Sequence, residues 1–179
     1  MAVRRLGLAL LLLLVVLAPA AQAKTIRVDW REEKTLTGGG ALRFRVTKIV
    51  ATTQSWAVTA TITNDSGSRV GIAPKGRPFQ LPPPRPLWSN GMALIEHHRV
   101  FSVNIGGYHG EWWQHPATSF RPALPTSLAP HASWTGTFGG RGKLKKGQAF
   151  SLGFGLFELQ SPESGGATVY WITDHSFIL

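Results

Sequence analysis

The sequence predicts an all-β antiparallel sandwich with long loops, and three observations carry that prediction. Apolar residues recur with period two along most of the chain, no stretch beyond residue 23 holds a 3.6-residue period, and Gly, Pro, Asn and Asp punctuate the alternating runs. Short alternating strands separated by turns are the raw material of sandwiches and barrels.

The clearest strand is Trp56-Ala-Val-Thr-Ala-Thr-Ile-Thr-Asn64, with Trp56, Val58, Ala60 and Ile62 on one face and Thr59, Thr61 and Thr63 on the other. Asn64-Asp-Ser-Gly-Ser68 then supplies turn residues before Val70 and Ile72 resume, so the two segments read as a hairpin. Alternation returns at Ile26, Val28 and Trp30, at Leu42, Phe44 and Val46, at Trp134, Gly136 and Phe138, and at Phe150, Leu152, Phe154 and Leu156. In the last segment, Val169 to Leu179, the set Val169, Trp171 and Thr173 opposes Tyr170 and Ile172. Two partly apolar faces suit the interior of a sheet. Weaker strand signals, Met92 to Ile95 and Val100 to Val103, flank His97-His98. Pro74 to Asn90 carries most of Pro82-Pro-Pro-Arg-Pro86, whose missing amide hydrogens predict an extended surface loop. Asn104 to Pro130, rich in Gly, His, Trp and Pro, reads as the longest irregular stretch.

Ahead of these strands stands a leader. Arg4 and Arg5 form a positive region, Leu6 to Leu17 is apolar, and Ala18-Pro-Ala-Ala-Gln-Ala23 supplies small residues, the pattern of a signal-peptide helix cleaved after Ala23. Pro19 and Gln22 interrupt the run before it reaches the about 20 apolar residues of a membrane span. No cysteine is present to carry a lipid anchor, so the expected product is the single domain 24–179, exported and released, with no membrane attachment. The paired arginines are compatible with either general secretory or twin-arginine export. Lacking disulfides, such a domain rests on an ordinary core, which seven Trp and nine Phe can fill.

Nineteen Lys and Arg against nine Asp and Glu give a net charge of +10, which favours anionic partners. Nucleic acid is not expected of an exported domain with no recognition helix or aromatic sheet motif.

Two segments, Trp56-Ala-Val-Thr-Ala-Thr-Ile-Thr-Asn64 and Leu128-Ala-Pro-His-Ala-Ser-Trp-Thr-Gly-Thr-Phe138, resemble the early strand and the later Leu-x-Pro-Gly-x-Ser strand of immunoglobulin-like β-sandwich domains in secreted bacterial proteins. His131 stands where that group commonly has glycine. The resemblance implies an immunoglobulin-like sandwich without catalysis and with no assigned biochemical role.

Three segments carry the candidate chemistry. Glu96, His97, His98, His109, Glu111 and His115 concentrate imidazoles and carboxylates suited to zinc or copper, although no pair has the His-Glu-x-x-His spacing of a helical site. Trp112 and Trp113, adjacent in an extended segment, point to opposite sides, so one of them is a candidate platform for a sugar ring or an anchor for a protein partner. The loop Gly139-Gly-Arg-Gly-Lys-Leu-Lys-Lys-Gly147 offers Arg141, Lys143, Lys145 and Lys146 to acidic polymers; it departs from a phosphate-binding loop at Thr137 and Leu144.

Enzyme signatures are missing: there is no Gly-x-Ser-x-Gly elbow and no paired carboxylates for glycoside hydrolysis, and Asp65-Ser66-Gly67 is explained by turn chemistry. Asp174-His175 lies on neighbouring strand positions that face apart. The sequence therefore predicts a non-catalytic binding domain without a cofactor, directed at an anionic cell-envelope polymer or a protein partner. Carbohydrate binding through an exposed Trp and metal binding through the histidines are the alternatives.

Overall fold

The computed structural model describes residues 22–72, 80–81, 85–86, 92–102, 107–160 and 168–179, with the side chains of 80–81, 85–86, 99–102, 107–112, 156, 160 and 168 left aside. The expected signal-peptide helix lies outside the described residues. All described regular structure is β, in two antiparallel sheets and one short two-stranded ribbon.

The first sheet has five strands in the order β1 (Lys24–Thr35), β2 (Ala41–Ala51), β3 (Ser55–Asp65), β11 (Ser133–Arg141) and β9 (Ser119–Arg121). Its inner face is built by the alternation read from the sequence: Leu42, Phe44 and Val46 on β2, Trp56, Val58, Ala60 and Ile62 on β3, and Trp134 and Phe138 on β11 are all buried. A register shift after Val46 keeps Ile49 on the same face.

One of the two sheets is curled into a half-barrel, and the second sheet is organised around β12 (Ala149–Gln160). Its first half pairs β7 (Met92–Ser102), which pairs in turn with β8 (Gly107–Pro116). Its second half pairs β4 (Arg69–Ile72), which carries β10 (Ser127–Leu128), while β13 (Thr168–Ile172) and β14 (Phe177–Ile178) also run along β12. Gln80–Leu81 (β5) and Arg85–Pro86 (β6) form a separate two-stranded ribbon; the rest of the proline-rich segment lies outside the described residues.

The inner faces meet in one core. Phe44 stacks on Phe154 at 4.6 Å between ring centroids, and Phe138 meets the same ring edge-on at 5.8 Å. Each such aromatic removed from water contributes about 1.5–3 kcal/mol.

Four local expectations change. Asn64 to Ser68 does not close a hairpin, because β3 and β4 belong to different sheets and the chain crosses the sandwich there. Four residues of β4 pair β10 and β12, and buried Asn64 holds the corner: its Nδ2 donates to the carbonyls of Ser68 (2.8 Å), Ala129 (3.0 Å) and Leu128 (3.2 Å), and its Oδ1 accepts from Ser66 Oγ at 2.7 Å.

The segment 104–130 is not mainly irregular. β8 runs through 107–116 because β7, unbroken across His97-His98, supplies a partner for its backbone groups.

On β12 the run Phe150, Leu152, Phe154 passes to Phe157 and Leu159, since the pairing with β13 shifts register between Phe154 and Phe157 and moves the buried set by one residue. A Cβ on Gly155, inside that shift, would lie 2.7 Å from Tyr170 Cβ.

The C-terminal strand β13 has only β12 beside it among the described residues, rather than a place inside the sheet. Both its faces are nevertheless covered: Val169 and Trp171 pack on the main core, and Ile172 packs on buried Ala93 and Ile95.

Candidate functional site

The outer face of the five-stranded sheet is where polar chemistry accumulates. Strands β2, β3 and β11 turn their apolar alternates inward, so the opposite alternates must all be solvated. Antiparallel register then assembles them into rows across the strands. The first row reads Arg27, Lys48, Thr59, Thr137, Arg121. The second is Arg31, Arg45, Thr61, Thr135, and the third Glu33, Arg43, Thr63, Ser133.

Down the middle runs a ladder of hydroxyl pairs. Thr59 and Thr137 stand 3.2 Å apart between their Oγ1 atoms, Thr61 and Thr135 2.9 Å, and Thr63 and Ser133 2.8 Å. Such cross-strand pairs contribute roughly 0.2–1 kcal/mol each to sheet pairing.

Charge is distributed unevenly over the rows. In the third, Arg43 is held at 2.8 Å by both Glu33 and Asp65. In the second, Arg31 and Arg45 share Asp29 at 2.8 and 2.7 Å, and their hydrogen bonds, Arg31 first, hold the Asp29 carboxyl below the usual carboxylate range. The first row has no such compensation. Exposed Arg27 and Lys48 sit directly opposite one another, and among the described residues neither they nor Arg121 has a carboxylate partner. Like charges in that position oppose pairing. Beside the neutralised rows lies a groove of about 480 Å3, lined in part by Arg31, Glu33, Arg43, Arg45, Thr61 and Thr63.

Arg141 continues β11 beyond Thr137 at the same, cationic end of the sheet. From there the chain crosses to β12, so the glycine-rich segment is a crossover between sheets and not a hairpin loop. Buried Leu144 and the bonds Gly142 N to Gln54 O (3.0 Å) and Leu144 N to Thr53 O (2.9 Å) pin it. Lys143, Lys145 and Lys146 are left exposed around that anchor.

The histidines divide. Glu96, on β7, is fully buried and receives His115 Nε2 at 2.8 Å on Oε2, while His98 Nε2 stands 3.0 Å from Oε1. His98 Nε2 is out of line for a hydrogen bond and is a buried nitrogen without one among the described residues. His97 faces the other way, 2.8 Å from Ser151 Oγ, and desolvation, with the neighbouring His98 second, lowers its pKa. Register sets Glu111 opposite His98 and His109 opposite Val100; their side chains lie outside the described residues. Among the described residues no group of three His, Cys, Asp or Glu is arranged to hold a metal ion. Trp113 is 52 % exposed, its ring 4.5 Å from that of His98. The Trp112 side chain lies outside the described residues.

A further carboxylate, Glu32, ties the two sheets together at their edge. It accepts hydrogen bonds from Trp171 Nε1 and, at 2.7 Å, pairs with His175 Nδ1, whose ring stacks on Trp30 at 5.0 Å. His175 thus finds its acid partner 143 residues away, not at Asp174.

Arg27, Lys48, Arg121 and the Glu32–His175 clip escape a reading of the sequence. The threonine alternation marks the wet face, but which cations border it depends on register. Comparison with protein-family models, with curated proteins and with solved structures finds no match for this chain. The fold defines the class: an all-β protein of two packed antiparallel sheets.

Proposed function

We propose that this chain is an exported, immunoglobulin-like β-sandwich domain that acts without catalysis by binding an anionic cell-envelope polymer. The observation that carries the reading is the first row of the outer face, where Arg27, Lys48 and Arg121 flank a hydroxyl pair and have no compensating carboxylate among the described residues. Arg141 and the exposed Lys143, Lys145 and Lys146 extend the same positive end. A polyanion laid there relieves the Arg27–Lys48 repulsion, and because the cations are solvated the attraction is screened within about 8 Å at physiological salt.

The test is retention on immobilised anionic envelope polymer across a salt gradient. The triple variant Arg27→Glu/Lys48→Glu/Arg121→Glu is expected to elute at the lowest salt, with Lys143→Glu/Lys145→Glu/Lys146→Glu showing a smaller shift. Unchanged retention of the triple variant, folded by circular dichroism, overturns the reading.

A further inference from the structure

We infer that the polymer is an acidic polysaccharide lying across the strands, with acidic groups on Arg27, Lys48 and Arg121 and hydroxyl-bearing sugar units on the threonine pairs and the adjoining groove. This rests on the polyanion reading of the face and goes on to name the ligand's chemistry.

The spacing of charge comes first. Lys48 and Arg121 are separated by β3 and β11, three strand spacings or about 14–15 Å. Between them stand Thr59 and Thr137 and no cation. The charge of the row thus lies at two places, the adjacent Arg27–Lys48 pair and Arg121, a pattern that matches acidic groups set apart by neutral units better than a chain charged at every unit.

Hydrogen-bond capacity points the same way. A hydroxyl has one hydrogen to give and two lone pairs. In each pair one hydrogen is used between the partners, which leaves one donor and several acceptor sites for whatever lies on top. Phosphate or sulfate oxygens only accept, so they use the donor and leave the lone pairs idle. A sugar hydroxyl both gives and accepts and can satisfy both.

The groove adds a third argument. Its cations are already engaged by Asp29, Glu33 and Asp65 at 2.7–2.8 Å, so it offers fixed carboxylate and guanidinium groups with little free positive charge. Such paired groups bond neutral hydroxyls and repel an extra anion. The groove begins at Thr61, two residues or about 6.8 Å along β3 from the cationic row. A ligand reaching both surfaces must combine acidic and neutral hydroxylated parts.

The experiment is calorimetric titration of the purified full chain with hyaluronan, in which acidic and neutral sugar units alternate, inorganic polyphosphate and neutral dextran. Wild type is expected to bind hyaluronan at least tenfold tighter per charge than polyphosphate, and dextran not measurably. In Thr59→Val/Thr137→Val, which keeps β-branched residues on both strands, hyaluronan affinity is expected to fall about tenfold with polyphosphate unchanged. Arg27→Gln/Lys48→Gln weakens both. Equal affinity for the two polyanions together with indifference to the threonine change overturns the polysaccharide assignment and leaves the polyanion reading standing. Failure of wild type to bind either polyanion removes both.

Discussion

Replacing Asn64 by Ala tests the corner on which the chain passes from one sheet to the other. The Asn64 side chain is fully buried, and its amide donates to three carbonyls while its oxygen accepts from Ser66. An amide has two hydrogens, so three acceptors mean that one is shared. Truncation removes the two donor bonds and the Ser66 bond. The Ser66 hydroxyl retains a route to Ser68 O at 3.2 Å, whereas the carbonyl oxygens of Leu128 and Ala129 lose this buried donor. At about 1–1.5 kcal/mol per bond the expected loss is about 3 kcal/mol. For a chain of this size that lowers Tm by about 6–12 °C.

Urea titration followed by tryptophan fluorescence reads the change directly, with the slope m unaltered because the same surface is exposed on unfolding. Asn64→Asp sharpens the test: it keeps the shape and the acceptor for Ser66 but presents a second oxygen to three carbonyls, so it is expected to destabilise more than Ala at neutral pH. A loss below 1 kcal/mol in Asn64→Ala, or an Asp variant as stable as wild type, would refute the assignment of the corner to this side chain.

Two further outcomes follow from single residues. His131 occupies a left-handed conformation at φ 59°, where a side chain costs about 1–2 kcal/mol relative to glycine. His131→Gly is therefore expected to stabilise by about 0.5–1 kcal/mol after the added freedom of the unfolded chain is subtracted, and a lower urea midpoint would contradict it. The 3.6 Å approach of His131 to exposed Asp65 adds little in either direction.

Burial lowers the pKa of His97, so the folded state holds fewer protons on it than the unfolded chain does between its folded pKa and the ordinary value near 6.5. Stability from this group is present above that ordinary value and declines as pH falls toward the folded pKa. The stability difference between wild type and His97→Gln is expected to shrink on going from pH 8 to pH 5, and a constant difference would sink the argument.

The legibility of the fold follows from which interactions are local. Trp56, Val58, Ala60 and Ile62 identify their strand because alternation is dictated by the pleat, and all four are buried as that requires. At His131 the sequence argues against a glycine-like turn, because a side chain stands where the resembled pattern commonly has glycine, yet the backbone there adopts the left-handed conformation. The same rules misread Asn64 to Ser68, because turn residues permit a change of direction without saying which sheet receives the next strand. The segment 107–116 looks irregular by composition and becomes a strand because β7 lies alongside it.

At the candidate site, Thr59, Thr61 and Thr63 are marked as a wet face by the sequence alone, and the surplus of cations is a matter of composition. Pairing of Thr59 with Thr137 across 78 positions, with Lys48 on one flank and Arg121 on the other, is a product of register. So is the meeting of Glu32 with His175, and of Glu96 with His115. By itself the sequence determined the β class, the buried faces of β2, β3 and β11 and the basic character of the protein, since these depend on neighbours two residues away and on bulk charge. Only the tertiary structure decided which strands share a sheet and which charges are left unpaired. Those outcomes depend on contacts between residues distant in the chain, whose closure is governed by the packing of the whole sandwich and not by any local preference.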